Sequence, residues 1–345
     1  MMKILYAIQG TGNGHLTRAI ALLPELQKHG HVDILISGEQ CEIALPFPVK
    51  YRFKGLSFFF GKKGGVDVWR TYLQANTKQL LSDIKKLPVN DYDLVISDFE
   101  PVSAWACLLA KRDCVGLSNQ IATIHPSAPR PKRKDLLGWM VLKRYAPTNI
   151  NYGFHYKAFD LNIFTPVIRD EVRNIKVTNK GHYVVYLPSY SDDKIIKQLS
   201  RLPVAKWEVF SKTTTVERVE GTIHIQPLDN KKFTAAMASC EGVLCNAGFG
   251  TTSEALYLGK KLCVIPMKGQ YEQACNAEFL KKMKISVVKK LKRKHLPKIA
   301  DWMENGTNTK VNYVDQRNLI VGKIVIHAGK NLSAEYIGEE QFLFQ

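Results

Sequence analysis

The chain has 345 residues, 45% of them apolar, and a formal net charge of +18. That length predicts roughly two domains with a sizeable core in each, and no run approaches the ~20 apolar residues of a membrane span. Only ILYAIQ separates Lys3 from the first glycine, too short a run for an export signal, so a cytoplasmic protein is expected.

Strand and helix patterns alternate along the chain, which predicts parallel sheets with helices on both faces. Residues 3–9 read as a first strand, 16–29 as a helix ending near Gly30, and 32–37 as a second strand. GTGNGH, residues 10–15, joins the first strand to its helix. Glycines there let the backbone turn tightly and approach a ligand, and the helix start offers free N–H groups to an anion. The dinucleotide spacing GxGxxG is broken, because His15 stands where a pyrophosphate binder needs a small residue. A histidine at a helix start beside the crevice is placed instead to act as a general base, with capping or packing as the alternative.

GLSFFFGKKGG, residues 55–65, makes Phe59 and Phe60 either strand core or an aromatic wall for an acceptor. A helix is expected over 66–87. Asp91-Tyr92-Asp93 spells DxD but precedes the strand at 93–97, the wrong end of a sheet for a ligand, so it reads as a solvated turn. Asp98 falls at the carboxyl end of that strand. It can orient His15 if the two strands are neighbours, or cap the helix expected near 102–110. Glu100 beside it is an acceptor-side candidate. After a short strand at 115–117, the pattern loosens over 119–160, around one helix near 136–145. His125, PRPKRK and LLGWMVL in this region suggest a basic, apolar lid or a surface helix.

Alternation resumes with strands at 182–187, 207–210 and 222–226, a helix at 230–240, a strand at 242–246, a helix from Thr251, a strand at 262–266 and a helix from Tyr271. The expected organisation is a domain at 1–165, a second at 166–310, and a tail at 311–345 forming a helix that crosses back to the first. The seven cysteines have irregular spacing and no CxxC pair, which predicts buried thiols rather than disulfides or zinc. The basic runs at 129–134 and 281–294 fit a solvated face, an anionic membrane surface, an anionic acceptor or, less well, nucleic acid.

The most informative stretch is CNAGFGTTSEALYLGKKLCVIPMKGQYEQACNAEFL, residues 245–280. A strand runs into Asn246. A loop with Gly248, Phe249 and Gly250 follows, and Thr251 and Thr252 open a helix whose hydroxyls and N–H groups suit a diphosphate. Glu254 is placed to hydrogen-bond ribose hydroxyls or to complement the helix dipole, and Glu272 and Gln273 to bind sugar hydroxyls.

This stretch resembles the donor-binding region of GT-B glycosyltransferases, the MurG-type and UDP-glycosyltransferase superfamily. Gly248, Gly250, Thr251, Glu254, Gly259, Pro266, Glu272, Gln273, Asn276 and Ala277 follow in the family's order. GNGH, with Gly14 and His15, resembles its amino-terminal G-x-G-H element, and ISDFEPVSAWA resembles the segment whose aspartate pairs with that histidine. The resemblance implies two Rossmann-like, doubly wound parallel-sheet domains facing a cleft. It also implies inverting transfer of a sugar from a nucleotide-diphosphate donor, UDP-linked, to an acceptor hydroxyl; the net charge and the basic, apolar segment around His125 and 129–142 suggest that the acceptor is a lipid or glycan. His15 would take the acceptor proton, Asp98 would orient it, and no metal or cofactor would be needed. Other readings remain: a non-hydrolysing UDP-sugar 2-epimerase, a DNA glucosyltransferase, or a non-catalytic nucleotide-binding protein.

Overall fold

The computed structural model describes residues 1–38, 45–55, 60–61, 65–66, 77–132, 135–203 and 205–327. The first half contains strands β1 (Met2–Gln9), β2 (Gly30–Ser37), β3 (Tyr51–Phe53), β4 (Phe60–Gly61), β5 (Gly65–Val66), β6 (Leu94–Asp98), β7 (Val115–Ser118), β8 (Ile150–Phe154) and β9 (Ile163–Phe164). Its helices are α1 (Asn13–Gln27), α2 (Thr77–Lys86), α3 (Pro101–Leu109), α4 (Asn119–Ile124) and α5 (Leu136–Arg144). Seven strands form one parallel sheet in the order β3-β2-β1-β6-β7-β8-β9. The inner strands are buried on both faces, so β1 and β6 are continuous apolar runs rather than alternating ones.

After the short α6 (Asp170–Arg173) the plan repeats. Strands β10 (His182–Tyr186), β11 (Lys206–Ser211), β12 (Arg218–Glu220), β13 (Ile223–Pro227), β14 (Gly242–Cys245), β15 (Lys261–Val264) and β16 (Ser286–Val287) form the second sheet. Their order is β12-β13-β11-β10-β14-β15-β16, with only β12 antiparallel. Helices α7 (Asp192–Leu199), α8 (Asn230–Ser239), α9 (Phe249–Tyr257), α10 (Tyr271–Lys282) and α11 (Leu296–Asn305) flank it. In each sheet the order reverses beside the first strand, between β1 and β6 and between β10 and β14. Crevices for ligands open at the carboxyl ends of such strand pairs.

The last described helix, α12 (Arg317–His327), returns to the first sheet. Its Ile320, Val321, Ile324 and Val325 are buried in the same apolar cluster as Ile4, Tyr6 and Leu22 of the first domain and Val243 and Phe249 of the second. Arg317 at its start forks onto Asp170 of α6 at 2.9 and 2.8 Å. Residues 328–345 of the expected tail lie outside the described residues.

Three expectations are corrected. The helix expected over 66–87 is described only as α2, because Val66 pairs with Phe60 in a two-stranded hairpin; residues 67–76 lie outside the described residues. The stretch 119–160 is less irregular than its pattern implied, since it contains α4 and β8. β8 is a short run, INYGF, that becomes a strand because β7 offers it a ladder, Val115 opposite Ile150. Helices α1 and α9 begin earlier than expected, at Asn13 and Phe249, which places the loop glycines in or beside the first turns.

Candidate active site

The chain leaves β1 through Gly10, whose N–H donates to the Ser37 carbonyl at 2.6 Å. A side chain there would lie 2.8 Å from Ile36 Cγ2, so the turn against β2 requires glycine. Gly12 then caps α1, and Cβ atoms at Gly12 and Gly14 would meet open space. His15 therefore sits in the first turn of a helix whose start faces the crevice.

Asp98 ends β6, in register with Ile8 of β1, and accepts from His15 Nδ1 at 2.7 Å. Donation from Nδ1 leaves Nε2 as the ring's basic atom, with the side chain 13% exposed. Arg18, one turn along α1, grips the same carboxylate, Nε on Oδ2 at 2.8 Å and Nη2 on Oδ1 at 2.5 Å. Asp98 is fully buried. Burial alone would raise its pKa, but the charges of Arg18 and His15 outweigh it, and the carboxyl titrates below its ordinary range. The next residue, Phe99, takes the left-handed conformation at φ 55°, and its ring stacks on His15 and on Tyr145. That sharp turn lets two acids separated by a single residue, Asp98 and Glu100, do different work.

Glu100, the acceptor-side candidate, turns into the core. It is fully buried, and its carboxylate accepts from the Val102 and Ser103 N–H groups at 2.7 Å each, capping α3. Glu100 thus takes the capping role left open for Asp98. His125 is also committed: Nδ1 accepts from Ser127 N–H at 3.2 Å and Nε2 pairs with Asp160 at 2.8 Å. Phe59 lies outside the described residues, and Phe60 is described only as a strand position.

On the second sheet, β14 runs through Asn246 and Ala247 to Gly248, which caps α9 without a side-chain partner. Cβ atoms at Gly248 and Gly250 would also meet open space, so a second helix start faces a crevice. Thr251 beside them is partly exposed. Three other candidates turn inward. Asn246 donates to the Ile265 carbonyl at 2.6 Å and accepts from Ser189 Oγ at 3.2 Å, tying strand ends together. Thr252 is buried, donating to the Gly248 carbonyl at 2.7 Å and meeting Tyr156 Oη at 2.7 Å. The Phe249 ring packs edge-on against Tyr156, so only its backbone is placed to meet a ligand.

Glu254 is nearly buried and is forked by Arg169, Nε on Oε1 at 2.7 Å and Nη2 on Oε2 at 3.0 Å. Arg169 immediately precedes α6, in the segment between the sheets, and also reaches Asn230 Oδ1 at 2.9 Å. Gln273 Oε1 holds the Met267 N–H at 2.9 Å and shapes the loop after β15. Glu272, in the first turn of α10, reaches the first domain. Its carboxylate accepts from Asn119 Nδ2 at 2.8 Å and Gln120 Nε2 at 2.9 Å. Burial raises its pKa, while the nearby charges of His15 and Arg18 act the other way, so it shares one electrostatic neighbourhood with the His15 cluster.

Arg18, Asn119, Gln120 and Arg169 were not among the sequence candidates. Arg18 carried a signal, since positions i and i+3 from His15 share a helix face. The other three meet acids far away in sequence, which no local pattern reveals.

The family model described as "Glycosyl transferase family 1" matches residues 2–305. No curated protein matches the chain. Among solved structures, the fold is similar to that of the spinosyn forosaminyltransferase SpnP, with 12% identity, 95% of this chain and 94% of that one covered, and a TM-score of 0.56. Arabidopsis thaliana UGT89C1, solved with UDP, gives 10% identity, 95% and 99% coverage and a TM-score of 0.57. The glycosyltransferase SnogD from Streptomyces nogalater gives 12%, 94% and 99%, and 0.53. The architecture is GT-B: two Rossmann-like domains that meet beside the His15 cluster, where Glu272 of the second is held by Asn119 and Gln120 of the first.

Proposed function

The chain belongs to glycosyl transferase family 1 and is a glycosyltransferase, and from that premise we propose that it moves a sugar from a UDP-linked donor to an acceptor hydroxyl with inversion. The observation that carries this reading is the His15–Asp98 pair, set at the switch point of the first sheet while the open start of α9 occupies the matching point of the second. Nε2 of His15 takes the acceptor proton as the oxygen attacks the anomeric carbon. Asp98 holds the imidazole by Nδ1 and stabilises its charged form. The departing diphosphate is received by the N–H groups and dipole of α9, with the Thr251 hydroxyl beside them. Glu254 is the candidate for the ribose hydroxyls, Glu272 and Gln273 for the sugar. That helix start supplies the positive field a leaving diphosphate needs, so the reaction is proposed to be metal-independent.

The acceptor is proposed to be a lipid or glycan met at an anionic membrane surface. No helix among the described residues is long and apolar enough to cross a membrane. Helix α5, however, has no buried residue, and its Leu136, Leu137 and Met140 are exposed. It lies against Tyr271 at the start of α10. On the second domain, desolvation and then the charges of Lys292, Lys268, Lys289 and Lys294 lower the pKa of Lys290, the mark of a basic cluster. Exposed apolar side chains and clustered cations both suit an anionic bilayer. Sedimentation with phosphatidylglycerol vesicles but not phosphatidylcholine vesicles supports this, whereas binding to duplex DNA alone replaces it.

The donor is tested by thermal shift with UDP, GDP, dTDP, ADP and CMP on the wild type and Glu254→Ala. A ligand at a hundredfold excess over its Kd stabilises by about 2.7 kcal/mol. A UDP-selective shift lost in Glu254→Ala is expected. A shift with a different nucleotide changes the donor, and no shift with any defeats the reading.

A further inference from the structure

The reaction proposed above uses His15 and Asp98 and leaves Arg18 without a role. We propose that Arg18 is the positioning residue of the base: it holds Asp98 in the plane that meets His15, balances that carboxylate's charge so that the imidazole meets the acceptor unprotonated, and ties the pair through Asn119 to Glu272 on the opposite domain. The inference rests on the reading of His15 as the base.

The geometry is a fork. Arg18 occupies both oxygens of Asp98, while His15 Nδ1 shares only Oδ1. A fully buried carboxylate facing a lone imidazole would favour the imidazolium strongly. Here a permanent cation already neutralises it, and Arg18 Nη2 lies 3.0 Å from Nδ1, against any positive charge on the ring. The base is therefore oriented by an Asp98 whose charge Arg18 already balances.

The groups facing this cluster come from every neighbouring element. Tyr6 of β1 is kept neutral, because burial and then Asp98 raise its pKa well above the ordinary value. Phe99 stacks on His15 from the turn after β6, and Phe154 of β8 lies 5.0 Å from the guanidinium. Glu272 of α10 is the second carboxyl group in range.

The link across the cleft is also a hydrogen-bond chain. Arg18 Nη1 donates to Asn119 Oδ1 at 3.3 Å, and Asn119 Nδ2 donates to Glu272 Oε1. The reversed amide would set its N–H groups against a guanidinium and its oxygen against a carboxylate, so both ends fix one orientation. Asn119 thereby registers the base cluster of the first domain against Glu272 of the second.

The test is NMR titration of the histidine rings in the full chain, with the His15 signal identified by its loss in His15→Gln. In Arg18→Gln, a carboxylate without its fork should raise the pH at which the His15 ring protonates by about one unit, a tenfold gain in proton affinity. Circular dichroism establishes that the variant is folded. Arg18→Lys keeps the cation and loses the fork. It should leave the titration near wild type and UDP binding within about twofold, while release of UDP from UDP-glucose slows by about tenfold or more. An unmoved His15 titration in folded Arg18→Gln overturns the proposal. If that variant does not fold, wild-type turnover in Arg18→Lys overturns it. Wild-type turnover in His15→Ala removes the base reading itself; an inactive His15→Ala with an unmoved titration removes the role of Arg18 alone.

Discussion

The two halves of the molecule use the same backbone device and different chemistry. Each sheet has its first strand beside the switch point, and each crevice is met by a helix whose start carries glycines open to space, Gly12 and Gly14 in one half and Gly248 and Gly250 in the other. What differs is the side chain in the first turn, an imidazole in α1 and hydroxyls in α9. Each crevice also has a buried acid forked by a buried arginine, but the partners come from different places. Arg18 lies on the same helix as His15, so the first fork is internal to its domain. Arg169 lies in the segment between the sheets, beside Asp170, which holds Arg317 of the returning helix. The second fork therefore joins α9 to the connection between the domains, while the first stays within its own domain and reaches Glu272 of the other only through Asn119. A helix start is a general anion-facing frame, and its role is set by what is mounted there and what holds the mount still.

The sharpest way to break this comparison is His15→Ala. Transfer should fall by about 10²–10⁴-fold, the usual worth of a positioned base, with UDP binding retained in a thermal-shift assay. Equal losses of turnover and UDP binding would mean that the two crevices are not functionally separate.

Asp98→Asn should nearly match that loss and, unlike His15→Ala, should also destabilise by about 3–5 kcal/mol, because it strands a buried arginine. Its pH signature follows from the lowered carboxyl pKa. Ionised pairing contributes stability above the unfolded value of about 3.9 and loses it as the pH falls through the lower folded value. Urea midpoints of the wild type should therefore drop below about pH 4 more steeply than those of Asp98→Asn.

Glu254→Gln should weaken UDP binding while leaving the His15 titration in place, which sharpens the separation of the two forks. Glu100→Ala should cost about 1–2 kcal/mol through the lost cap of α3, with no change in UDP affinity. Chelation with EDTA should have the smallest effect, leaving the transfer rate unchanged.

Much of the frame was legible in the sequence. Strand and helix alternation, the glycine loops and Asp98 at a strand end each have a local cause, such as apolar period or backbone freedom at a turn. The reading of neighbouring strands proved sound, since β1 and β6 pair directly. Legibility failed where one local pattern fits two arrangements. Asp98 and Glu100 are both acids before a helix, and only the left-handed turn at Phe99 sends one to His15 and the other to cap α3. Thr251 and Thr252 read alike, yet one step around α9 leaves the first partly exposed and buries the second against Tyr156.

By itself, then, the sequence determined the alternating α/β plan, the two glycine-led helix starts and the residue types mounted on them. Those follow from apolar periodicity and from the backbone demands of tight turns, which act over a few residues. The tertiary structure alone decided the partners: Arg169 on Glu254, 85 positions away, and Asn119 on Glu272, 153 positions away. A hydrogen bond depends on distance and angle in space, and two residues so far apart are brought within 3 Å only when both sheets have formed and their carboxyl ends face one another.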